Sequence, residues 1–248
     1  MINTYLTISL SFVMGLAIFL SMPIVFHKKT GTRRIIFFNA IAIGILVFLL
    51  MDIFGDVSAL FGNVPLSPLE LIFIVGFVLA FLFFIIPKRN RQPHKNPKRT
   101  SLLAAMGIGF QNLTEGLVFG SAGAAGLASI YIVSLIGFTL QNISEGFPIA
   151  APLVGLKKLD KKFVTGAFIL GGAPTVIGTL IGLVFYSSTF IVFFDALASA
   201  AILYVVLVLF HVNIHKGMSE GKGFGRAMWL TYFGILIGFA IAFVVNYI

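Results

Sequence analysis

Two short polar runs interrupt an otherwise apolar chain, and they are nearly the same run. Gln111-Asn112-Leu113-Thr114-Glu115-Gly116 and Gln141-Asn142-Ile143-Ser144-Glu145-Gly146 share the pattern QNxxEG, thirty positions apart. In a helix, Gln111 and Glu115 stand four residues apart and share one face, as do Gln141 and Glu145. Face to face, these four side chains offer two amide oxygens and two carboxylates, a donor set for a divalent cation. Asn112 and Asn142 lie one position round and could line an adjacent site. Gly116 and Gly146 either let helix backbones approach closely or serve ordinary helix packing.

The elements that carry these residues are membrane spans. Apolar residues make up 59% of the 248, charged residues 10%, and the mean hydropathy is +1.07. A soluble domain is roughly 45–50% apolar and about 25% charged, so the natural solvent of this chain is a lipid bilayer. Crossing the hydrocarbon core takes about 20 apolar residues. Eight runs qualify: about 3–26, 35–54, 69–87, 101–123, 127–153, 163–186, 190–211 and 226–247. The first is long enough to span rather than be removed as a leader. Period-2 alternation with regular turns, the mark of a barrel, is absent. The predicted fold is therefore one all-α integral membrane domain, a bundle of eight transmembrane helices.

Orientation follows from lysine and arginine. All 17 fall in the connections after the first, third, fifth and seventh runs, or at their edges, and the alternate connections hold none. Those connections are predicted to be cytoplasmic, with both termini outside. The longest hydrophilic stretch, 88–100, reads as a basic cytoplasmic linker; His94 is its only histidine. The net charge of +9 thus reflects membrane topology and gives no reason to expect nucleic acid as a partner.

Depth makes the repeated motif informative. Gln111 lies 12 residues past Arg99, about 18 Å along a helix, and Gln141 is midway between Ala125 and Lys157. Both copies sit near the bilayer centre, on spans running in opposite directions, which suggests inverted pseudo-symmetry about a midplane site. A charged residue there costs roughly 2.5–3.5 kcal/mol on insertion scales. Two such glutamates need the bundle interior, water, each other or a cation. A divalent cation satisfies both while ionised; without it at least one would hold a proton, because close carboxylates repel. The alternative is an inter-helical hydrogen-bond clamp with protonated glutamates.

Other polar residues have two readings each. Asp52 and Asp56, at the outer end of the second span, could draw cations into an entrance vestibule or be interfacial only. Asp195, read in the first turn of the seventh span, could cap the helix dipole or line the entrance. His211 and His215 are four apart at the inner end of that span and could form an exit pair or be interfacial. Glu70 reads as a solvated charge at the start of the third span, and Asp160 as a loop charge. The absence of cysteine excludes disulfides and thiolate ligands. No Walker, GxGxxG–acid or HExxH pattern is present, so no enzyme class and no bound cofactor is indicated. The 28 phenylalanines read as lipid-facing filler.

At GFQNLTEGLVFG and LQNISEGFPIAAPL the chain resembles the ZIP (Zrt/Irt-like) family of metal transporters, whose fourth and fifth helices carry HNxxEG- and HxxxEG-like signatures. NAIAIGILVFLLMDIFGD, GGAPTVIGTLIG and DALASAAILYVV resemble the family's helices 2, 6 and 7, so the likeness covers essentially the whole chain. It implies a cell-membrane carrier, a homodimer, a main metal site at Gln111, Glu115, Gln141 and Glu145, and a neighbouring second site including Asn112 and Asn142. The chain departs from the family pattern at several points. Gln111 stands where histidine is usual, and Thr114 and Ser144 replace a common proline, with hydroxyls able to bond back to helix carbonyls. Ala173 replaces a glutamate before Pro174, and Val208, Leu209 and Asn213 replace acids of helix 7. Imidazole suits zinc, whereas carboxylate and amide oxygens suit harder ions. The expectation is one working site, weakened zinc selectivity, and zinc, manganese or ferrous iron as the transported substrate. A non-transporting ZIP-like metal sensor or structural partner is the alternative.

Overall fold

A computed structural model describes residues 2–26, 31–62, 65–86, 96–156, 158–219 and 224–247. Helix α1 (Thr4–Ala17) starts at Asn3, whose side chain accepts from the Tyr5 and Leu6 N–H groups. It tightens into a 3-10 stretch, Ile18–Phe26, that contains Pro23. Helix α2 (Thr32–Phe61) ends at Gly62, which takes a positive φ of 74°. Helix α3 (Pro68–Ile85) begins on a cap made by Ser67 and Glu70. The serine oxygen accepts from the Glu70 N–H, and the glutamate accepts from the Leu66 N–H at 2.8 Å. Glu70 is thus a cap residue as well as a solvated charge.

Helix α4 (Pro97–Ala125) opens with Asn96 as cap and Pro97 in its first turn. The predicted linker 88–100 is therefore helical from Pro97 onward; its earlier part, His94 included, lies outside the described residues. Helix α5 (Ala128–Ala150) contains Pro148 and runs on into one 3-10 turn, Ala151–Leu153. Helix α6 (Lys161–Gly182) is capped by Asp160, which accepts from the Lys162 N–H at 2.9 Å, so Asp160 has a structural role beyond that of a loop charge. Helices α7 (Ser188–Ser219) and α8 (Phe224–Tyr247) complete the chain. There is no strand among the described residues.

Seven of these segments are long and apolar enough to cross a membrane, and the molecule is an all-helical membrane bundle. The exception is α5, which has the length but carries the polar stretch Gln141–Glu145 in its second half.

The helices pack as two groups. One holds α1 with its 3-10 stretch, α4, α5 and α6; the other holds α2, α3, α7 and α8. Glycines set the closest pairings. A Cβ on Gly116 would run into the Thr175 carbonyl, and one on Gly178 into the Leu113 carbonyl, so α4 and α6 touch backbone to backbone. Gly44 and Gly238 do the same for α2 and α8. Lipid tails are as apolar as leucine, so such helices associate through dispersion at close range and through polar bonds. One buried apolar cluster, with Leu46, Leu49, Ile202 and Val205 from the second group and Ile108, Ile149 and Phe168 from the first, joins the two groups.

Buried polar side chains staple each group internally. Ser21 Oγ donates to the Ile143 carbonyl at 2.6 Å and Ser101 Oγ to the Ile149 carbonyl at 2.8 Å, on either side of Pro148. Tyr131 Oη donates to Thr7 Oγ1. In the other group, Asn39 donates to Asn213 Oδ1 at 3.1 Å, and Asn213 donates to the Ile36 carbonyl at 3.0 Å. Asn213→Leu leaves the Asn39 amide without that partner and is expected to lower stability by about 1–2 kcal/mol. Thermal unfolding in detergent measures this, and a second substitution, Asn39→Leu, should recover part of the loss.

Candidate functional site

Four of the chain's eight acidic residues converge on one cavity of about 400 Å³: Asp52 and Asp56 from α2, Glu115 from α4 and Asp195 from α7. Gln111 and Thr114 (α4), Ser134 and Gln141 (α5), Tyr186 (between α6 and α7) and Asn246 (α8) complete its polar lining. Gln111 and Gln141, near the middle of their helices, form its floor, and the other lining residues lie toward the ends away from the basic connections. The cavity therefore lies between the two helix groups, at the end of the bundle that has no lysine or arginine. Among the described residues no basic side chain lines it. Carboxylates in a low-dielectric cleft concentrate negative potential and attract cations.

The local sequence explains the lining. Asp52 and Asp56 are one turn apart on α2, which runs on to Phe61 rather than ending near 54, so both lie within the helix body. Asn246, near the end of α8, donates to Asp52 Oδ1 at 3.0 Å. Gln111 and Glu115 share a face of α4, as their spacing requires, and Gln111 Nε2 donates to Glu115 Oε1 at 3.0 Å. Thr114 and Ser144 each bond back to the carbonyl three residues earlier, at 2.7 and 2.8 Å.

Glu145 departs from the face-to-face arrangement. It is 0% exposed and does not line the cavity. Because α4 and α5 run in opposite directions, Glu115 is the shallower member of its pair and Glu145 the deeper. The Gln141 amide lies between Asp52 and Glu145, with Asn112 also against the Glu145 carboxyl. Glu145 and Glu115 are close enough for their charges to interact.

Unpartnered buried atoms gather here. Gln111 Oε1, Asn112 Oδ1, Glu115 Oε2 and both oxygens of Glu145 have no hydrogen-bond partner, nor does Gln141 Nε2. Buried polar groups of native proteins are nearly always paired. These acceptor oxygens, with only the Gln141 and Asn112 amides close to the Glu145 carboxyl, give the region a surplus of negative charge that favours a positively charged guest. Among the described residues, no three carboxylates or imidazoles are placed as a ready-made metal cage. The acids line the cavity without converging on one point.

The remaining sequence candidates fall elsewhere or act differently. Asn112 donates to Asn142 Oδ1 at 2.8 Å and to the Gly171 carbonyl at 2.9 Å, and Asn142 donates to the Phe138 carbonyl. The two asparagines therefore clamp α4, α5 and α6, and the Asn142 oxygen is taken. Gly116 seats α4 against α6, and Gly146 seats α5 against the Ile18 carbonyl of the 3-10 stretch, so neither brings the two motifs together. Asp195 is not in the first turn of α7, which starts at Ser188. It is 4% exposed and its Oδ1 lies 2.8 Å from Thr114 Oγ1, a hydrogen-bond separation, which rules out the capping reading and makes it part of the cavity wall. Ala173 is exposed on the outer surface of α6, so an acid there would face away from the cavity. His211 and His215 are exposed at the other end of α7, their rings 4.2 Å apart and perpendicular, remote from the cavity. Asn246 and Tyr186 escaped sequence reasoning because a lone polar residue near a span end carries no spacing signal.

Fold and cavity together define a class, an all-helical membrane protein with an acid-lined cavity between two helix groups. The chain matches no protein-family model and no curated protein.

Proposed function

We propose that this protein is a carrier of divalent transition-metal cations, a divergent relative of the ZIP transporters. The observation that supports this most is the set of five unpartnered acceptor oxygens beside the acid-lined cavity. In this reading all eight helices span, both termini lie outside, and the cavity opens to the exterior. Asp52 and Asp56 attract the cation. Gln111, Glu115 and Gln141 receive it, and Glu145 joins once the Gln141 side chain moves aside. The cation leaves toward the cytoplasm as the two helix groups rock against each other.

Two carboxylates and two amides form a hard, oxygen-only ligand set, which suits manganese or ferrous iron and holds zinc more weakly than imidazole would. Because Asn112 and Asn142 are bonded to each other, a single working site is proposed. Gln111→His should raise zinc affinity by about tenfold or more, as imidazole is the better zinc ligand; calorimetric titration of purified protein checks this.

The absence of a preformed three-ligand cage among the described residues favours one alternative, a metal sensor or structural partner that does not transport. Uptake of radiolabelled manganese and zinc into proteoliposomes separates the two. A carrier gives saturable flux of both, with manganese preferred relative to a histidine site, whereas a sensor binds metal without flux.

A further inference from the structure

Thr114 presents one hydroxyl hydrogen to two acceptors. Its Oγ1 lies 2.7 Å from the Gln111 carbonyl oxygen and 2.8 Å from Asp195 Oδ1. Both are full-strength O–H···O separations, and a hydroxyl owns one hydrogen and two lone pairs. A hydrogen shared between two acceptors would lengthen both contacts. A second hydrogen is therefore needed, and only the acid can supply it, since a carbonyl has none. The chain of bonds then runs from the Asp195 O–H to Thr114 Oγ1, and from the Thr114 O–H to the Gln111 carbonyl.

This contact also has a particular place in the fold. Thr114 is on α4 and Asp195 on α7, so the bond crosses between the two helix groups at the cavity wall. The other inter-helix side-chain bonds given above with a distance each stay within one group, and the one further polar approach across the groups is that of the Gln141 amide to Asp52.

We propose that Asp195 is a proton-bearing latch. In its acid form it ties α7 to α4 through Thr114; when it loses its proton to water in the cavity, the tie loosens and the two helix groups are free to shift. That a cation in the cavity is what drives off the proton rests on the carrier reading; the latch itself does not.

The ionisable groups around Asp195 are consistent with this. Asp52 and Asp56 face the cavity from α2, Glu115 from α4, and Tyr186 from the segment preceding α7. The parts of α5 and α8 that line it are uncharged, Ser134 and Gln141 on one and Asn246 on the other. Helix α3, packed on α7, carries Glu70, which is bonded to the Leu66 N–H. With no basic group in the lining among the described residues, the ionised form of Asp195 has no fixed cationic partner there. An arriving cation would supply one.

The chain has no cysteine, so spin-label pairs can be introduced directly, at Ser58→Cys on α2 and Ser121→Cys on α4, neither of which lines the cavity. Their separation is read by pulsed electron resonance in lipid nanodiscs. At low pH the otherwise native protein should show one narrow distance, and a second population should grow as pH rises. Thr114→Val should show the second population already at low pH. Asp195→Asn, whose amide can still donate to Thr114 but cannot ionise, should stay narrow at every pH. An infrared carboxylic C=O band that vanishes in Asp195→Asn and shifts in Thr114→Val would identify the proton directly. The latch is overturned if Thr114→Val matches the native distances, if Asp195→Asn keeps the pH response, or if the infrared band is unchanged by both. Adding zinc, which is diamagnetic, should mimic raised pH. A pH response without a zinc response supports the latch and counts against the carrier reading.

Discussion

Glu115→Gln and Glu145→Gln should each reduce saturable cation uptake by at least about tenfold, but in different ways. Each substitution keeps the size and hydrogen-bonding capacity of the side chain and removes its charge, so the loss reports on charge alone. Glu115 lines the cavity and Glu145 lies behind it, fully buried. Without the Glu115 carboxylate the incoming cation meets a weaker first contact, so half-saturation should rise and maximal flux fall. Without the Glu145 carboxylate the first contact survives, so initial binding should persist while flux fails. A ligand contributing only after rearrangement affects turnover more than affinity. Glu70→Gln, at the start of α3 and away from the cavity, should change uptake by less than about twofold. Uptake assays with equilibrium binding on the same preparations measure the split. Equal loss of binding in both variants would show that Glu145 is already exposed to the cation at the outset.

Gly116→Val and Gly178→Val are expected to be the most damaging substitutions to the fold. The two glycines face opposite partners across the same seam, Gly116 against the Thr175 carbonyl and Gly178 against that of Leu113. Backbone carbonyls in packed helices cannot swing aside as a flexible side chain can. An added side chain therefore forces α4 and α6 apart, at about 3 kcal/mol or more for each position. The displaced helix carries Gln111, Thr114 and Glu115, so the cavity wall moves with it. Gly166→Ala, on α6 with nothing within 4 Å of the added carbon, serves as the control and should not lower stability, since alanine is the better helix former. The fraction of protein remaining monodisperse after heating distinguishes the three variants.

Seven of the apolar runs coincide with helices long and apolar enough to cross a membrane, because helix existence in a lipid solvent follows from hydropathy and length. The larger errors came where polarity misled. Asp52, Gly55, Asp56 and Ser58 read as the outer end of a span, yet α2 continues through them to Phe61. The helix is retained because its acids face a cavity, not lipid. The same cause misplaced Asp195 in a first turn: α7 starts at Ser188, and the neighbours of Asp195 in space are Thr114 and the cavity, which agrees with the entrance-lining alternative.

Within the site, spacing along one helix was legible and relations between helices were not. The pairing of Gln111 with Glu115 follows from an i,i+4 step and is present as a hydrogen bond. The deeper position of Glu145, the bond between Asn112 and Asn142, and the closeness of Asn246 to Asp52 depend on which helices are neighbours and at what height. Pattern in a single sequence does not encode this. Thr114 shows the division within one residue. Its bond back to the Gln111 carbonyl was expected from hydroxyl chemistry in a helix, and its bond to Asp195, 81 positions away, was not.

The carrier proposal stands most directly on a cation sitting among Gln111, Glu115, Gln141 and Glu145. Crystals soaked in manganese and measured for anomalous scattering test this. A peak within coordination distance of the Glu115 and Glu145 carboxylates is the predicted result. At saturating manganese, a map with no peak between those two helices, or with density only beside His211 and His215, contradicts it.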